Sequence, residues 1–246
     1  MRSPVNRRDP SGTRKIEREE IARQREIISR YTEAMAEIAV GDRADKAQVL
    51  GRLSEGLKDD LSASADDWMA NAENATVRVT DKVLKNLNTG IVLGNAVRVP
   101  EEELRMLRAN IRANVRSVGD DLLKDVTRIT AEGYQKGWGA DETAREILKA
   151  GKGQVSHAET IVRTETMRVC DTVAKARYDA AGCDGYISFP TDDDRLCEKC
   201  VRHATGGTGS TTLKVYGLDE PMALPWHPNC RCCRIPHFEG QGAITI

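Results

Sequence analysis

The chain has 246 residues, of which 39% are apolar and only 4% aromatic, and its 37 basic side chains nearly balance its 38 acidic ones. This balance excludes a polybasic tail of the kind that binds nucleic acid nonspecifically. No apolar run approaches the roughly 18 residues that a membrane span needs, and the first residues lack the apolar stretch of a secretion signal. We therefore expect a protein without a membrane segment, made in a reducing cytoplasm, with a mainly aliphatic core.

The first 150 residues are predicted to form a mainly α-helical region. Residues 1–13 are polar and aperiodic, which predicts a flexible arm. Apolar residues then recur every three or four positions over residues 14–40, 50–61 and 68–87, which predicts helices there. The clearest helix begins at Pro100 with three glutamates in its first turn, where their charge stabilises the positive end of the helix dipole.

Glycines are predicted to separate this region from the rest of the chain. A short helix is expected over residues 141–150, and Gly151–Gly153 predicts a hinge after it. Ser156 and Glu159 then have the spacing of a capping box, in which each side chain hydrogen-bonds to the other residue's backbone amide. This pattern predicts a new helix that starts after the hinge and runs to Ala181.

The C-terminal domain, predicted to cover residues 151–246, changes to a β-type pattern. Tyr186–Phe189 and Leu213–Tyr216 are short runs bounded by proline and glycine, which predicts two strands. The predicted fold class is therefore α+β, with a mainly α-helical region at 14–150 followed by a small α+β domain that zinc stabilises.

The zinc prediction comes from the cysteines of this domain. All seven cysteines lie in the last third of the chain, and five of them follow residue 196. Cys197 and Cys200 form one closely spaced pair, and His227 and Cys230 form a second pair with the same spacing. Two such pairs supply the thiolate and imidazole ligands of a tetrahedral zinc site. In a cytoplasmic protein, clustered cysteines are more often metal ligands than disulfides.

Cys230, Cys232 and Cys233 compete for the fourth ligand position, and the spacing favours one set of four ligands with one alternate. The favoured ligands are Cys197, Cys200, His227 and Cys230. Cys232 is the alternate for Cys230, because the single residue between them lets either thiol face inward. A site with four protein ligands has no open position for a catalytic water, so the expected Zn²⁺ is structural.

A row of four arginines lies beside the apolar face of the helix that begins at Pro100. The row could contact DNA phosphates, which dominate the affinity of many DNA-binding proteins. Alternatively, the arginine stems cover the edge of the core while the guanidinium groups meet water or acidic side chains. The neutral charge of the region favours this second interpretation. The four residues are Arg105, Arg108, Arg112 and Arg116.

Three short motifs follow one another between residues 155 and 236. They are Arg163-Thr164-Glu165, then Asp194-Arg195 ahead of the Cys197 pair, and finally His227-Pro-Asn-Cys-Arg231-Cys232. In this order they resemble the phage head morphogenesis family of minor head proteins, also called the phage Mu protein F-like domain. The third motif is the most specific of the three.

This resemblance implies a minor structural protein in the head of a tailed phage or prophage. Members of the family associate with the portal or the inner capsid in few copies and are implicated in head assembly or in the packaging and ejection of DNA. The implied partners are the portal protein, the major capsid or scaffold protein, and packaged double-stranded DNA. The implied location is the virion, after assembly in the host cytoplasm. The family has no established catalytic residues, so no enzymatic activity is expected.

Two other functions remain open at this point. The first is a zinc-ribbon adaptor that binds DNA through the arginine row, which the neutral charge balance disfavours. The second is a nuclease of the His-Asn-His type, which pairs a catalytic histidine with a structural zinc. The chain has only four histidines, and His227 is expected to be a metal ligand, so the nuclease is the least favoured of the three.

Overall fold

Long amphipathic stretches of the sequence form four α-helices in the computed structural model, which describes residues 12–42, 44–87, 89–91, 93, 97–191, 196–207 and 209–245. The long helices are α1 (Arg14–Val40), α2 (Lys46–Asn86), α3 (Glu101–Lys136) and α4 (Ala140–Ala180). Shorter elements follow, namely β1 (Gly185–Phe189), α5 (Glu198–Thr205), β2 (Val215–Gly217) and β3 (Cys233–His237). The predicted α+β class is confirmed.

Several helix boundaries follow local sequence signals. Helix α1 ends just before Gly41, and α3 begins directly after Pro100, whose carbonyl oxygen accepts a hydrogen bond from the Leu104 amide at 3.2 Å. Of the predicted arm, residues 1–11 lie outside the described residues, whereas Thr13 is buried. No helix in the described ranges is both long enough and apolar enough to cross a membrane.

The chain divides into two compact units whose segments alternate along the sequence. The unit that we call the helical unit contains Arg18–Trp68 and Met106–Val162. The unit that we call the cysteine unit contains Met1–Glu17, Met69–Arg105 and Arg163–Ile246, and it includes the sheet and all the cysteines.

The core of the helical unit is mostly aliphatic, as the composition predicts. Its buried side chains recur every three or four residues on each helical segment, which places them on one face of the helix. The fully buried aliphatic residues and methionine include Ile28, Met35, Leu57, Leu61, Ile111, Val115, Val118, Leu122, Val126, Ile147 and Val162. Apolar burial of this kind is the dominant favourable contribution to folding.

The hinge predicted at Gly151–Gly153 is wrong, because α4 runs through it without a break. Gly151 is buried against α1, and a Cβ atom on it would lie 2.5 Å from Thr32 Cγ2. By contrast, a Cβ atom on Gly153 would meet nothing within 4 Å. Gly151 therefore permits a close approach of two helices, and the capping box predicted after the hinge lies inside a continuous helix.

The cysteine unit contains a three-stranded antiparallel sheet in the order β2-β1-β3. Tyr186 in the central strand pairs with Tyr216 on one side and with Pro236 on the other. The first predicted strand is confirmed, and the second overlaps β2 at Val215 and Tyr216. Strand β3 was not predicted, because Pro236 lacks an amide donor and proline is tolerated only at the edge of a sheet, where β3 lies.

Two buried arginines connect α4 to other segments of the cysteine unit. Arg234 on β3 donates two hydrogen bonds to the Asp171 carboxylate on α4, at 2.8 and 2.9 Å, and a third to the Met222 carbonyl oxygen at 2.6 Å. Arg177 on α4 forms an ion pair with Asp81 on α2. Periodicity identifies neither contact, because each pairs residues that are distant in sequence.

Candidate metal centre

Helix α5 positions the first pair of cysteines. Cys197 is its N-cap residue, with an extended backbone (φ −97°, ψ 158°), and its sulfur accepts a hydrogen bond from the Cys200 amide at 3.4 Å. This donation lowers the pKa of the Cys197 thiol, because a backbone amide that points at a thiolate stabilises the charged form. The start of α5 therefore favours a thiolate at residue 197, which is the form that binds metals.

The His-Pro-Asn-Cys loop positions the second pair. The Cys230 amide donates to the His227 carbonyl oxygen at 3.0 Å, and Asn229 has a positive φ of 62°, so the loop turns tightly. His227 Nδ1 lies 2.7 Å from the Pro228 carbonyl oxygen, which can only accept a hydrogen bond. This contact places the proton on Nδ1 and leaves the lone pair of Nε2 available to a metal ion.

The donor atoms of the two segments converge in two groups of three that share Cys200. In the first group, His227 Nε2 lies 3.2 Å from Cys197 Sγ and 3.1 Å from Cys200 Sγ. In the second group, which comprises Cys200, Cys230 and Cys232, the sulfurs of Cys200 and Cys230 are 3.8 Å apart. Two sulfurs bound tetrahedrally to one zinc ion at about 2.3 Å would also lie about 3.8 Å apart. The cluster can therefore hold a metal ion.

The three sulfurs of the second group influence one another's protonation. A hydrogen bond from the Cys200 thiol lowers the pKa of Cys230 to about 2. Contact with Cys230 raises the pKa of Cys200, and contact with Cys200 raises that of Cys232, because a second thiolate would repel the first. A divalent cation would relieve this repulsion, so the donor set fits a metal ion whose binding releases protons.

Side chains outside the cluster hold the ligand segments in place. Thr164 Oγ1 on α4 accepts a hydrogen bond from the Asn229 amide at 3.0 Å. Thr191 Oγ1, just after β1, donates to the Arg231 carbonyl oxygen at 2.5 Å. The backbone on both sides of Cys230 is thus fixed by threonines from other elements of the unit.

An aromatic pair that sequence analysis did not predict lies beside the cluster. The rings of His203 and Trp226 are stacked, with centroids 4.0 Å apart and an interplanar angle of 6°. Trp226 Nε1 donates to Ser188 Oγ on β1 at 3.0 Å. Burial lowers the pKa of His203, which favours the neutral ring in the stack. The available signal was the position of Trp226 directly before His227, a predicted ligand.

All five predicted ligands lie in the cluster, namely Cys197, Cys200, His227, Cys230 and Cys232. Cys233 belongs to neither group of donors, since it lies on β3 and pairs with Phe189 in the sheet. Cys170 and Cys183 are buried outside the cluster. The spacing of the cysteines and histidine was therefore sufficient to identify the donors.

The residues of the first motif lie on α4, and one of them contacts the third motif. Thr164 contacts the His-Pro-Asn-Cys loop, and Glu165 is buried on the same helix, 3.5 Å from Arg168 Nε. Arg163 also lies on α4. Asp194 and Arg195 lie outside the described residues. The first and third motifs are thus in direct contact through one hydrogen bond.

The predicted arginine row is engaged with acidic side chains. Arg112 donates two hydrogen bonds to Asp66, at 2.9 and 2.7 Å. Arg105 pairs with Glu102, and Arg116 pairs with Asp59 and Glu55, while Arg108 lies on the same helix. These pairings favour the interpretation in which the guanidinium groups meet carboxylates within each unit.

No family model, curated protein or solved structure matches this chain. The resemblance to minor head proteins therefore depends on the three sequence motifs alone. Independently of any relative, the residues themselves form a cysteine and histidine cluster able to hold a metal ion on an α+β fold.

Proposed function

We propose that this protein is a non-enzymatic minor head protein of a tailed phage or prophage, with a C-terminal module that structural zinc stabilises. The observation that carries this proposal is the pair of donor groups that share Cys200, one with Cys197 and His227 and the other with Cys230 and Cys232. These residues come from two of the three family motifs. The hydrogen bond from Asn229 to Thr164 adds the remaining motif segment to the same module. Residues that are distant in sequence thus form one structural unit.

Zinc is the metal that these donors suit best. Thiolate and imidazole donors select zinc over magnesium and calcium, which prefer oxygen. Copper(I) and iron also accept thiolates, but two closely spaced pairs with one histidine are typical of structural zinc. With four protein ligands, the ion has no open position for water and acts by connecting α5 to the His227 loop.

The proposed partners are the portal protein and the major capsid or scaffold protein, with packaged double-stranded DNA as a further contact. The protein would assemble in the host cytoplasm and remain in the virion, at the portal vertex or the capsid interior. In this role the zinc module supplies a rigid surface for a protein partner. The motifs support this role, and no chemical step is required of the ion.

The metal content tests the first half of the proposal. The full chain is purified without chelator or affinity metal, and its metals are measured by atomic absorption. We expect about one zinc ion per chain, and a marked loss of zinc in a Cys197→Ser variant. The matched control is Cys183→Ala, which removes a buried thiol outside the cluster. Wild-type protein that is free of zinc would overturn the metal centre.

Co-purification with phage heads tests the second half. The chain is tagged in the phage or prophage genome that encodes it, and heads are separated from soluble protein on a density gradient. We expect the tagged chain in the head fraction and bound to portal protein in a pull-down from the lysate. A chain that stays wholly in the soluble fraction and does not bind portal would contradict the virion role.

The two alternatives receive less support from the described contacts. At least three of the arginines that a DNA adaptor would use are already paired with carboxylates. Of the histidines that a nuclease would use, His203 is stacked on Trp226 and His227 faces the cysteines. Cleavage of plasmid DNA with magnesium, abolished by His203→Ala or His237→Ala, would nevertheless favour the nuclease.

A further inference from the structure

The cluster contains one donor more than a tetrahedral ion requires. Five donor atoms lie in two groups that share only Cys200. The first group contributes Cys197 and His227, and the second contributes Cys230 and Cys232. Because zinc in structural sites takes four ligands, three of the positions are filled by Cys200 and the first group. One position remains for two thiols.

Burial does not distinguish these two thiols. Cys230 and Cys232 are equally buried, each with 1% of its surface exposed. Both belong to the same group around Cys200, in which all donor atoms lie within 4.8 Å of one another. Each of the two sulfurs therefore lies within 4.8 Å of the Cys200 sulfur, the donor that the two groups share.

The backbone between the two thiols is fixed in a position that serves both. The Arg231 carbonyl oxygen accepts the hydrogen bond from Thr191, and the Asn229 amide is bound to Thr164. With this segment held from both sides, an exchange between the two sulfurs needs only side-chain rotation. Rotation of a side chain is far faster than a rearrangement of the backbone.

We propose that Cys200 is the obligatory ligand of the centre and that Cys230 and Cys232 are interchangeable fourth ligands, so that the site carries its own spare thiol. This inference rests on the proposed metal centre. The spare thiol gives the ion a local route of ligand exchange. It also protects the centre against the loss of either thiol by oxidation or mutation.

Metal titration of four variants tests this proposal. Zinc dissociation constants are measured by competition with a chromophoric chelator for the full-length wild type and for Cys200→Ser, Cys230→Ser, Cys232→Ser and the Cys230→Ser/Cys232→Ser double variant. Each single change at 230 or 232 is expected to weaken binding less than about 10-fold, whereas Cys200→Ser and the double variant lose at least about 100-fold. The control is again Cys183→Ala.

Each departure from this pattern has a definite meaning. If Cys230→Ser alone weakens binding as much as Cys200→Ser, then Cys230 is a dedicated ligand and the inference is wrong. The same holds for Cys232. If the double variant binds normally, neither thiol is a ligand, and the inference is also wrong. If the wild type binds no zinc at all, the metal centre itself fails, which is a separate result.

A second measurement uses the wild-type protein and so does not depend on the folding of variants. The chain is loaded with ¹¹³Cd²⁺, and the nuclear couplings from cadmium to cysteine β protons identify the bound sulfurs directly. We expect couplings to Cys200 and to both Cys230 and Cys232, either averaged or as two species. Coupling to only one of the two would contradict interchangeable ligands.

Discussion

The two units of this chain are stabilised in different ways. In the helical unit, apolar side chains at three-four spacing fill the interior, and the described ion pair of Arg112 with Asp66 lies at the surface, with both side chains more than 40% exposed. In the cysteine unit, strands of three to five residues leave little regular surface to pack. There, the buried arginines Arg177 and Arg234 and the cysteine cluster connect segments that are distant in sequence.

This difference shows where specific polar contacts matter. A helix of 36 or 41 residues can bury a long apolar face, so no single contact decides its position. A three-residue strand such as β2 has no such face, and its place depends on a few directed interactions. We therefore expect single changes to have larger effects in the cysteine unit than in the helical unit.

Removal of the proposed zinc ion should produce the largest difference between the units. Structural zinc contributes an apparent binding free energy of about 10–16 kcal/mol in small peptide domains at neutral pH. After treatment with a strong chelator, amide hydrogen exchange is expected to accelerate in β1, β3 and α5, while amides of the helical unit such as those around Leu122 stay protected. Restored zinc should restore protection. Equal loss of protection in both units would remove the distinction between them.

The next largest effect should come from the buried ion pair. Arg234→Met leaves the Asp171 carboxylate buried without its partner, and loss of one member of a buried pair costs about 3–5 kcal/mol of unfolding free energy. The matched control is Arg202→Met, which removes the exposed pair with Glu198 on α5 and should cost less than about 1 kcal/mol. Urea unfolding at neutral pH measures the unfolding free energies of both variants. Equal losses in the two variants would contradict a special role for the buried pair.

The effect of Arg234→Met should also depend on pH. Burial raises the pKa of Asp171 above its ordinary value of 3.8, and Arg234 opposes that rise. Without Arg234 the folded-state pKa rises further, so the folded variant binds a proton more readily than the unfolded chain. The difference in unfolding free energy between the wild type and Arg234→Met should be smallest below pH 3.8. It should grow as the pH rises through the pKa of Asp171 in the folded variant. A deficit that is constant between pH 3.5 and 7 would exclude Asp171 as the cause.

Within the helical unit, substitutions of two glycines on α4 distinguish the effect of packing from the effect of helix propensity. Gly151→Ala places a Cβ atom 2.5 Å from Thr32, and such overpacking costs about 1–3 kcal/mol. Gly153→Ala meets no atom within 4 Å and should instead stabilise the helix by about 0.5–1 kcal/mol. Thermal unfolding of the two variants measures effects of opposite sign. Stabilisation by both changes would show that the close approach at Gly151 is absent.

These glycines also show the limit of prediction from sequence. The periodic apolar residues, the start of α3 after Pro100 and the residues of the cysteine and histidine cluster could all be predicted, because each signal is a short spacing along the chain. Whether a glycine breaks a helix depends on what packs against it. At Gly151 that neighbour is Thr32, which is distant in sequence.

The same reason explains what was missed in the cysteine unit. Strand β3 contains Arg234 and Pro236, which are atypical of a buried strand, and only pairing with β1 and the contact with Asp171 make it one. Likewise, the stack of His203 on Trp226 joins α5 to the His227 loop. Contacts between residues distant in sequence determine strand β3 and the aromatic stack, so the local sequence pattern could not predict either of them.

The smallest effect is expected at the surface of the helical unit. The pair of Arg112 with Asp66 is well aligned, but 51% and 42% of the two side chains are exposed, and exposed pairs contribute about 0.2–1 kcal/mol. Arg112→Ala should therefore lower the unfolding free energy by less than about 1 kcal/mol, and a double-mutant cycle with Asp66→Ala should give a coupling that disappears at high salt.

The same arginines allow a decisive comparison with the DNA-adaptor alternative. In one case, Arg108 and Arg112 only cover apolar side chains and pair with carboxylates of the helical unit. The wild type then gives no electrophoretic shift of DNA near physiological salt, and the double variant Arg108→Glu/Arg112→Glu changes only the unfolding free energy, by a small amount. A wild-type shift that the double change weakens would instead assign phosphate contacts to the row. The charge balance of the chain, with 37 basic against 38 acidic side chains, favours the first result.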